Sequence, residues 1–378
     1  MNNLENAGFV HLYGLSSVLN ALATGRRDLE TNQENSISDL DDLDDEHDDG
    51  NEDDSNDFYN RRSSPPKVDV KPQAQFRPYL FVQERSGGSD RRGSKATAAQ
   101  EVLKLAEERN VPIAYVDKGI LNVLSGNRPH QGFALRCGKL FFESLSKIPM
   151  PSSGDNEDSS SSPALWLVLD EVVDPQNLGA LLRSAYFLGG GNDNKSNKIG
   201  VLVCSKNSAP PSATVSASSA GALEVLDVHS TNNLPRTLNQ ANLDGFRIIG
   251  ASSSIPSSSL KNTGSNVGEE EDTGDDSLLP PPLYDLQDLP ARSPDGDDRP
   301  ILLVLGSEGH GLRTLVAKAC TEFVRIPSGI VGGIGEEQPD DDDDDDDDSN
   351  GAGVDSLNVS VTGGIMLWHL LHKTIGSD

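Results

Sequence analysis

Cysteine, aromatic residues and long apolar runs are all scarce in this chain, and each scarcity removes a class of explanation. The three cysteines, Cys137, Cys204 and Cys320, are far apart and form no CxxC or Cys/His cluster at metal-ligand spacing. They rule out a disulfide scaffold or zinc module and read as isolated thiols of a reducing compartment, with no metal expected. No stretch reaches the roughly 18 consecutive apolar residues of a spanning helix, so no membrane partner is expected. The amino terminus, Met1-Asn2-Asn3-Leu4-Glu5-Asn6, has the features of neither a signal peptide nor an Arg-rich transit peptide, and the chain reads as soluble. Apolar residues make up 35% and aromatic residues 5% of the 378, thin for a chain folded from end to end although long enough for two domains.

Positive charge is also short: the net charge is −29, which as a uniform property would repel nucleic acid. The excess is local. Residues 39–57, 269–276 and 336–348 carry twelve, six and eleven acids and no base, which is the whole imbalance; the rest of the chain holds 31 acids against 31 bases. A neutral folded part with a basic face remains compatible with RNA.

Four stretches, 31–76, 151–162, 252–282 and 329–355, are rich in Ser, Asp, Gly or Pro and too poor in large apolar residues to offset their ordering entropy. They read as disordered loops. The organisation expected is a first domain over 8–145 with its insertion at 31–76, a linker over 146–163, and a second domain over 164–378 with insertions at 252–282 and 329–355.

The first block carries helical spacing at Leu15, Val18, Leu19 and Leu22, strands at Tyr79–Val82 and Ile113–Val116, a helix around Val102, Leu103 and Leu105, and a helix at Gly119–Leu124. The second opens on the apolar run Leu165–Leu169, of buried parallel-strand type, followed by a turn at Asp174–Asn177 and a helix over Leu178–Leu188. Further strands are expected at Ile199–Cys204, Phe246–Gly250 and Ile301–Leu305, with helices at Ser216–Ala222 and Leu312–Ala319. Alternating apolar strands and helices predict a parallel α/β sheet covered on both faces, with ligands at the carboxyl ends of its strands.

Three motifs sit at those ends. The first runs Asp170-Glu171-Val172-Val173-Asp174-Pro175-Gln176-Asn177-Leu178-Gly179-Ala180-Leu181-Leu182-Arg183-Ser184-Ala185, the second Leu303-Val304-Leu305-Gly306-Ser307-Glu308-Gly309-His310-Gly311-Leu312. The third joins Val324-Arg325-Ile326-Pro327 to Ser356-Leu357-Asn358-Val359-Ser360-Val361 across an insertion. Singly each has a plainer reading. Asn177 followed by small residues is helix-start chemistry with Asn as the cap. The GxxGxG spacing at 306–311 is a tight turn, neither a dinucleotide fingerprint nor a phosphate loop. Asn358-Val359-Ser360 matches a glycosylation sequon, against which its strand-like apolar neighbours argue.

In order, the three motifs resemble those of the SpoU group of SPOUT-class RNA ribose 2′-O-methyltransferases. The resemblance implies a SPOUT parallel-sheet domain ending in a deep trefoil knot, an exception to unknotted chain topology. It implies a preceding small ribosomal-protein-like α/β substrate-binding domain, matched here by His11-Tyr13-Gly14 and His130-Gln131-Gly132. It implies S-adenosylmethionine as methyl donor, a homodimer, and large-subunit rRNA as substrate, with guanosine as the base and the mitochondrial matrix as the compartment. A tRNA-directed enzyme and an rRNA-binding assembly factor without activity are the alternatives.

By the same resemblance Leu305, Gly306, Ile326 and Leu357 hold the cofactor, largely through backbone groups, Gly306 allowing close approach. Arg183 is the family's catalytic arginine. A guanidinium is a poor base, so clamping a phosphate and stabilising charge on the ribose oxygen suit it better. Asn177 would hold Arg183 or the third motif in register. Glu308 would pair with Arg183 or orient the loops, unless it merely opens the Leu312 helix. Ser356 and Asn358, if extended, would present their side chains to one face. Candidates for gripping RNA are Arg128, His130 and Gln131, together with Arg26, Arg27, Arg91, Arg92 and Lys95, while His369 and His372 suit packing or a dimer surface. Two departures from the family pattern stand out: 29 residues, nine of them consecutive aspartates, separate Ile326 from Ser356, and Ser328 and Thr362-Gly363 replace the usual Met and Ala-Ala.

Overall fold

A computed structural model describes residues 8–29, 77–84, 94–151, 162–190, 199–256, 280–290, 299–328 and 356–374. Most of the four low-complexity stretches, including the aspartate run, lie outside these residues, as do Arg91, Arg92 and the Lys95 side chain.

The first domain is a four-stranded sheet. Strand β1 (Phe9–Tyr13) is followed by α1 (Leu15–Thr24), β2 (Tyr79–Gln83), α2 (Ser94–Glu108), β3 (Ile113–Val116), α3 (Lys118–Leu124) and β4 (Phe133–Gly138), in spatial order β1-β4-β2-β3. Strand β4 runs antiparallel to both neighbours, and β2 and β3 run parallel. Leu12, Leu80, Val82, Phe133, Leu135 and Cys137 point to one sheet face, where Val18, Ala21 and Leu22 of α1 and Val102 and Ala106 of α2 cover them. The alternation in Tyr79–Gln83 marks its strand clearly; β1 and β4 went unrecognised in the sequence.

The second domain is an eight-stranded sheet in which every pairing is parallel. Its members are β5 (Glu143–Ser144), β6 (Leu165–Leu169), β7 (Ile199–Cys204), β8 (Val228–Thr231), β9 (Arg247–Ala251), β10 (Leu283–Asp285), β11 (Ile301–Leu305) and β12 (Glu322–Arg325). The helices are α4 (Pro175–Leu188), α5 (Ala213–Ser218), α6 (Leu234–Leu243), α7 (Thr314–Ala317) and α8 (Val359–Thr374), in spatial strand order β10-β12-β9-β11-β6-β7-β8-β5. Alternation within single strands builds two cores: Leu165, Leu167 and Leu169 join one face with α4 and α8, while Trp166 and Val168 join the other with α6 and α7.

The strands at 165–169, 199–204 and 301–305 match expectation, because wholly apolar runs bounded by turns have few other uses. Several boundaries differ: α4 begins at Pro175, so most of the turn expected at Asp174–Asn177 is helical. Strand β5 pairs with β8, and Ile148 is buried in the second core, so the second domain begins before residue 145 and the expected linker is partly core. The helix expected at Ser216–Ala222 is α5 plus a short 3-10 turn at Ala222–Glu224. The helix expected from Leu312 starts only at Thr314, since Arg313 stays extended to donate its N–H to Asp170. The segment joining β12 to α8, on which the expected knot depends, lies at 329–355, outside the described residues.

The domains are locked together by a buried ion pair. Arg27 donates Nε and Nη2 to the two oxygens of Glu224 at 2.7 and 2.8 Å, both side chains fully buried. Arg26 pairs with Asp227 and donates to the Leu226 carbonyl, and Asn20 donates to the Gly221 carbonyl. Gly221, at φ 84°, is packed so closely on α1 that a Cβ there would lie 2.7 Å from the Ser16 carbonyl oxygen. Arg26 and Arg27, expected to contact RNA, are therefore interdomain contacts. No helix among the described residues is long and apolar enough to cross a membrane.

Two predictions follow from this packing. Arg27→Met leaves Glu224 buried without its partner and should cost about 3–5 kcal/mol in urea unfolding, whereas Arg27→Met with Glu224→Leu should recover most of that loss. Equal midpoints for the single variant and the parent would contradict the lock. All three cysteines are buried, and burial pushes the Cys137 and Cys320 thiols up to about 12 and Cys204 up to about 11. Native protein at neutral pH should react with Ellman's reagent only at the rate of unfolding.

Candidate active site

The carboxyl ends of β6 and β11 lie side by side where the strand order reverses, the position at which open parallel sheets bind ligands. The Asp170 N–H donates to the Leu305 carbonyl at 2.8 Å across this point. The three motifs converge here.

Helix α4 carries the first. Its cap is Asp174, whose carboxylate accepts from the Gln176 N–H at 2.9 Å, with Pro175 opening the first turn. This corrects the helix-start reading of Asn177, which is buried within the first turn. Gly179 is required by α5: a Cβ there would lie 1.8 Å from Ser218 Oγ.

Asn358 ties the motifs together. Its Oδ1 accepts from the Ser360 N–H at 2.9 Å, capping α8, and from Ser360 Oγ at 2.5 Å. Because a main-chain N–H can only donate, that contact fixes which way the amide points and leaves Nδ2 for two acceptors. They are Asn177 Oδ1 at 3.0 Å and Glu308 Oε1 at 2.6 Å. Asn177 thus holds the third motif in register, and Glu308 orients the loops through Asn358 and not through Arg183. Glu308 is an exposed loop residue ahead of α7, so it does not open that helix. Ser356 and Leu357 are irregular rather than a strand, Asn358 starts a helix, and the strand-like setting assumed for the sequon is absent.

The expected cofactor residues fall on the same rim. Leu305 is a buried core side chain, leaving only its backbone there, while Gly306 is buried, Ile326 half-buried and Leu357 exposed. A Cβ on Gly306 would lie 2.2 Å from the Gly311 carbonyl, and Ser307 and Gly311 exchange backbone hydrogen bonds at 3.1 and 3.0 Å. The close approach that Gly306 permits is therefore of its own loop, folded back as a tight cradle. Gly363, one of the departures, lets α8 pass over α4: a Cβ there would lie 2.4 Å from Leu181 Cδ2 and 2.7 Å from Leu305 Cδ1.

Arg183 is exposed and has no hydrogen-bond or ion-pair partner among the described residues. It lies six residues beyond Asn177, about 9 Å along α4, next to Ser184, which α8 approaches at Gly364. A second arginine, Arg313, was missed in the sequence. Its guanidinium meets the fully buried Asp170 at 2.6–2.7 Å and Glu171 at 2.9 Å, binding the end of β6 to the loop after β11. Glu171 sits at φ 59°, unusual for a residue with a side chain, and also accepts from Asn207 at 3.0 Å. The signal was an Asp-Glu pair at a strand end, with its partner 143 residues away.

The RNA candidates of the first domain divide. His130 is buried: Nδ1 accepts from the Gly132 N–H at 3.0 Å and Nε2 meets Asn122 Oδ1 at 3.1 Å. Burial and the nearby Lys118 lower its pKa. It is a neutral turn-former with both nitrogens engaged, which corrects its assignment to RNA. Gln131, at φ 53°, accepts from the Leu15 N–H at 2.8 Å and so caps α1. Arg128 is exposed at the domain junction, where Nη1 donates to Tyr13 Oη at 2.9 Å and to Thr214 Oγ1. No group of three or more His, Cys, Asp or Glu among the described residues is placed to hold a metal.

Comparison with known proteins accords with this geometry. The profile of the SpoU rRNA Methylase family matches residues 164–331, and that of RNA 2′-O ribose methyltransferase substrate binding matches residues 87–142. Proteins named "rRNA methyltransferase 1, mitochondrial" are 28%, 30% and 31% identical in Dictyostelium discoideum, Schizosaccharomyces pombe and Homo sapiens. The matches cover 72%, 69% and 73% of this chain and 44%, 75% and 63% of those proteins. Among solved structures, an AdoMet-bound rRNA methyltransferase from Sinorhizobium meliloti superposes with a TM-score of 0.53 at 14% identity, over 97% of this chain and 88% of that one. An RNA 2′-O ribose methyltransferase does so with a TM-score of 0.52 at 18% identity, over 98% and 91%. With its motifs gathered at the switch point of a parallel sheet and relatives matched over most of its length, the chain belongs to the SpoU rRNA methylase family.

Proposed function

We propose that this protein transfers a methyl group from S-adenosylmethionine to a ribose 2′-hydroxyl, of guanosine, in mitochondrial large-subunit rRNA. The observation that carries the reading is Arg183: a guanidinium free of protein partners among the described residues, on the helix whose Asn177 is tied through Asn358 to Glu308. Loops tied to one another and an arginine without a partner among the described residues beside them suit a reaction on a polyanion. The names of the relatives support rRNA and the mitochondrion.

The rim fits the donor. Leu357 offers exposed apolar surface, the Gly306–Gly311 cradle offers closely folded main chain, and Glu308 offers a carboxylate toward a cation. Bound S-adenosylmethionine supplies a methyl group already activated on sulfonium, so alignment matters more than covalent help. Arg183 holds a phosphate of the target nucleotide and stabilises negative charge on the ribose oxygen as its proton passes to water. The Asn177–Asn358–Glu308 contacts keep the three loops in register while it does so. The carboxyl-terminal segment threads as a trefoil knot in this reading, which would hold the loops further.

The active unit is a homodimer. Val361, Ile365 and Trp368 form an exposed apolar stripe on α8 at helical spacing, with His372 stacked on Trp368 at 4.5 Å, and Phe187 of α4 is 81% exposed. Such a surface beside Arg183 is suited to a second copy.

Purified protein should transfer tritiated methyl from S-adenosylmethionine to large-subunit rRNA fragments. Arg183→Ala should lower kcat by about a hundredfold or more while cofactor affinity measured by calorimetry stays unchanged. Full activity in that variant would sink the assignment, and label on tRNA alone would move the substrate. Trp368→Glu should yield monomers by light scattering; a parent that is itself monomeric would remove the dimer.

A further inference from the structure

A cleft of about 400 Å³ lies between the two domains, bounded by α1 and the turn before β4 on one side and by α4 and α5 on the other. Its chemistry is one-sided. Tyr13, Ser16, Ser17, Arg128, Gln176 and Thr214 line it, and among the described residues no carboxylate does.

The donors in it are underused. Arg128 is oriented by Tyr13 Oη and Thr214 Oγ1 through Nη1 alone, which leaves Nε and Nη2 without partners among the described residues. Ser17, only 2% exposed as a residue, lines the cleft wall. The cleft also receives the amino-terminal end of the ten-residue α1, where Gly14 provides no side-chain cap and Gln131, also in the lining, takes only the Leu15 N–H. There the Ser16 and Ser17 N–H groups have no intrahelical acceptor. Cation, hydroxyl and helix end together favour an anion with oxygen acceptors. Gln176, on the cleft wall, is the immediate neighbour of Asn177, so the cleft adjoins the active site along the first turn of α4.

We propose that this interdomain cleft holds a backbone phosphate, with its adjoining ribose, of the RNA strand that enters the active site. The inference rests on the reading of the protein as an RNA methyltransferase. It assigns to the domain junction a role in substrate binding, and explains why Arg27 and Glu224 fix that junction rigidly: a two-sided phosphate site needs walls at constant separation.

The test uses full-length protein and a fluorescein-labelled hairpin RNA, with affinity read by anisotropy between about 50 and 200 mM KCl. Ser16→Glu places a carboxylate in the first turn of α1, where it complements the helix dipole, so the melting temperature should hold or rise. RNA affinity should nevertheless fall roughly tenfold. Ser16→Lys should do the opposite on both counts. Arg128→Gln should weaken binding and reduce the slope of log K against log salt by about one. Cofactor binding by calorimetry should be unchanged in all three.

If the parent binds and methylates RNA but Ser16→Glu and Arg128→Gln bind it with parental affinity and slope, the cleft is not an RNA site. If inorganic phosphate alone raises the parent's melting temperature while those variants keep parental RNA affinity, the cleft binds free anion and the inference is equally overturned. A parent that neither binds nor methylates RNA removes the methyltransferase reading itself, and with it this one.

Discussion

The side-chain amide of Asn358 is the contact on which the rest of the site depends. One residue caps α8, receives the Ser360 N–H and donates to both Asn177 and Glu308, joining segments that are 181 and 50 residues away in sequence. Its orientation leaves no freedom, because the helix cap dictates which end of the amide is the acceptor. Without it the loop after β11 would lose its side-chain tie to α4 and α8, which are already packed on one core. With it they form one rim, on which the only work left to side chains is the placement of substrate.

Charge in the structured part of the chain is spent on geometry before it is spent on ligands. Arg27 is consumed by Glu224 between domains, Arg247 by Glu322 between β9 and β12, and Arg313 by Asp170 and Glu171 beneath the site. Each is a bidentate or forked pairing in which a buried carboxylate is compensated, the condition under which such groups are tolerated. Beside the site, Arg183 has no partner among the described residues and Arg128 engages only Nη1, and both face surfaces a nucleic acid could reach.

Much of the fold was legible in the sequence, and for particular reasons. Leu165–Leu169 and Ile301–Leu305 are wholly apolar and flanked by turns, so their strands and their membership of a parallel sheet could be read directly. Val228–Thr231 was not, because three of its four residues are polar or titratable and its burial comes from neighbours. Helix α6 was overlooked although Leu234, Leu238 and Ala241 keep helical spacing, its exposed face being polar enough to resemble a loop. In the site, Arg183, Asn177, Glu308 and Asn358 were recognisable as a set of motifs, and the structure adds who touches whom. The misassigned residues share one feature: the contact that decides their role exists only in the folded chain. Nothing near Arg27 announces Glu224, and the hydrogen bond from Gly132 that occupies His130 exists only once Gln131 takes its left-handed conformation. Local pattern reports propensity and periodicity, while the fate of a charged or titratable side chain is set by what the fold brings to it.

The central claim is that this protein modifies rRNA rather than merely binding it, and one measurement addresses it in the cell. Ribose methylation can be mapped across all rRNA in cells with and without the gene. The account predicts loss of methylation at a position in large-subunit rRNA, restored by the parent sequence and not by Arg183→Ala. An rRNA methylation map unchanged by removal of the gene would contradict it.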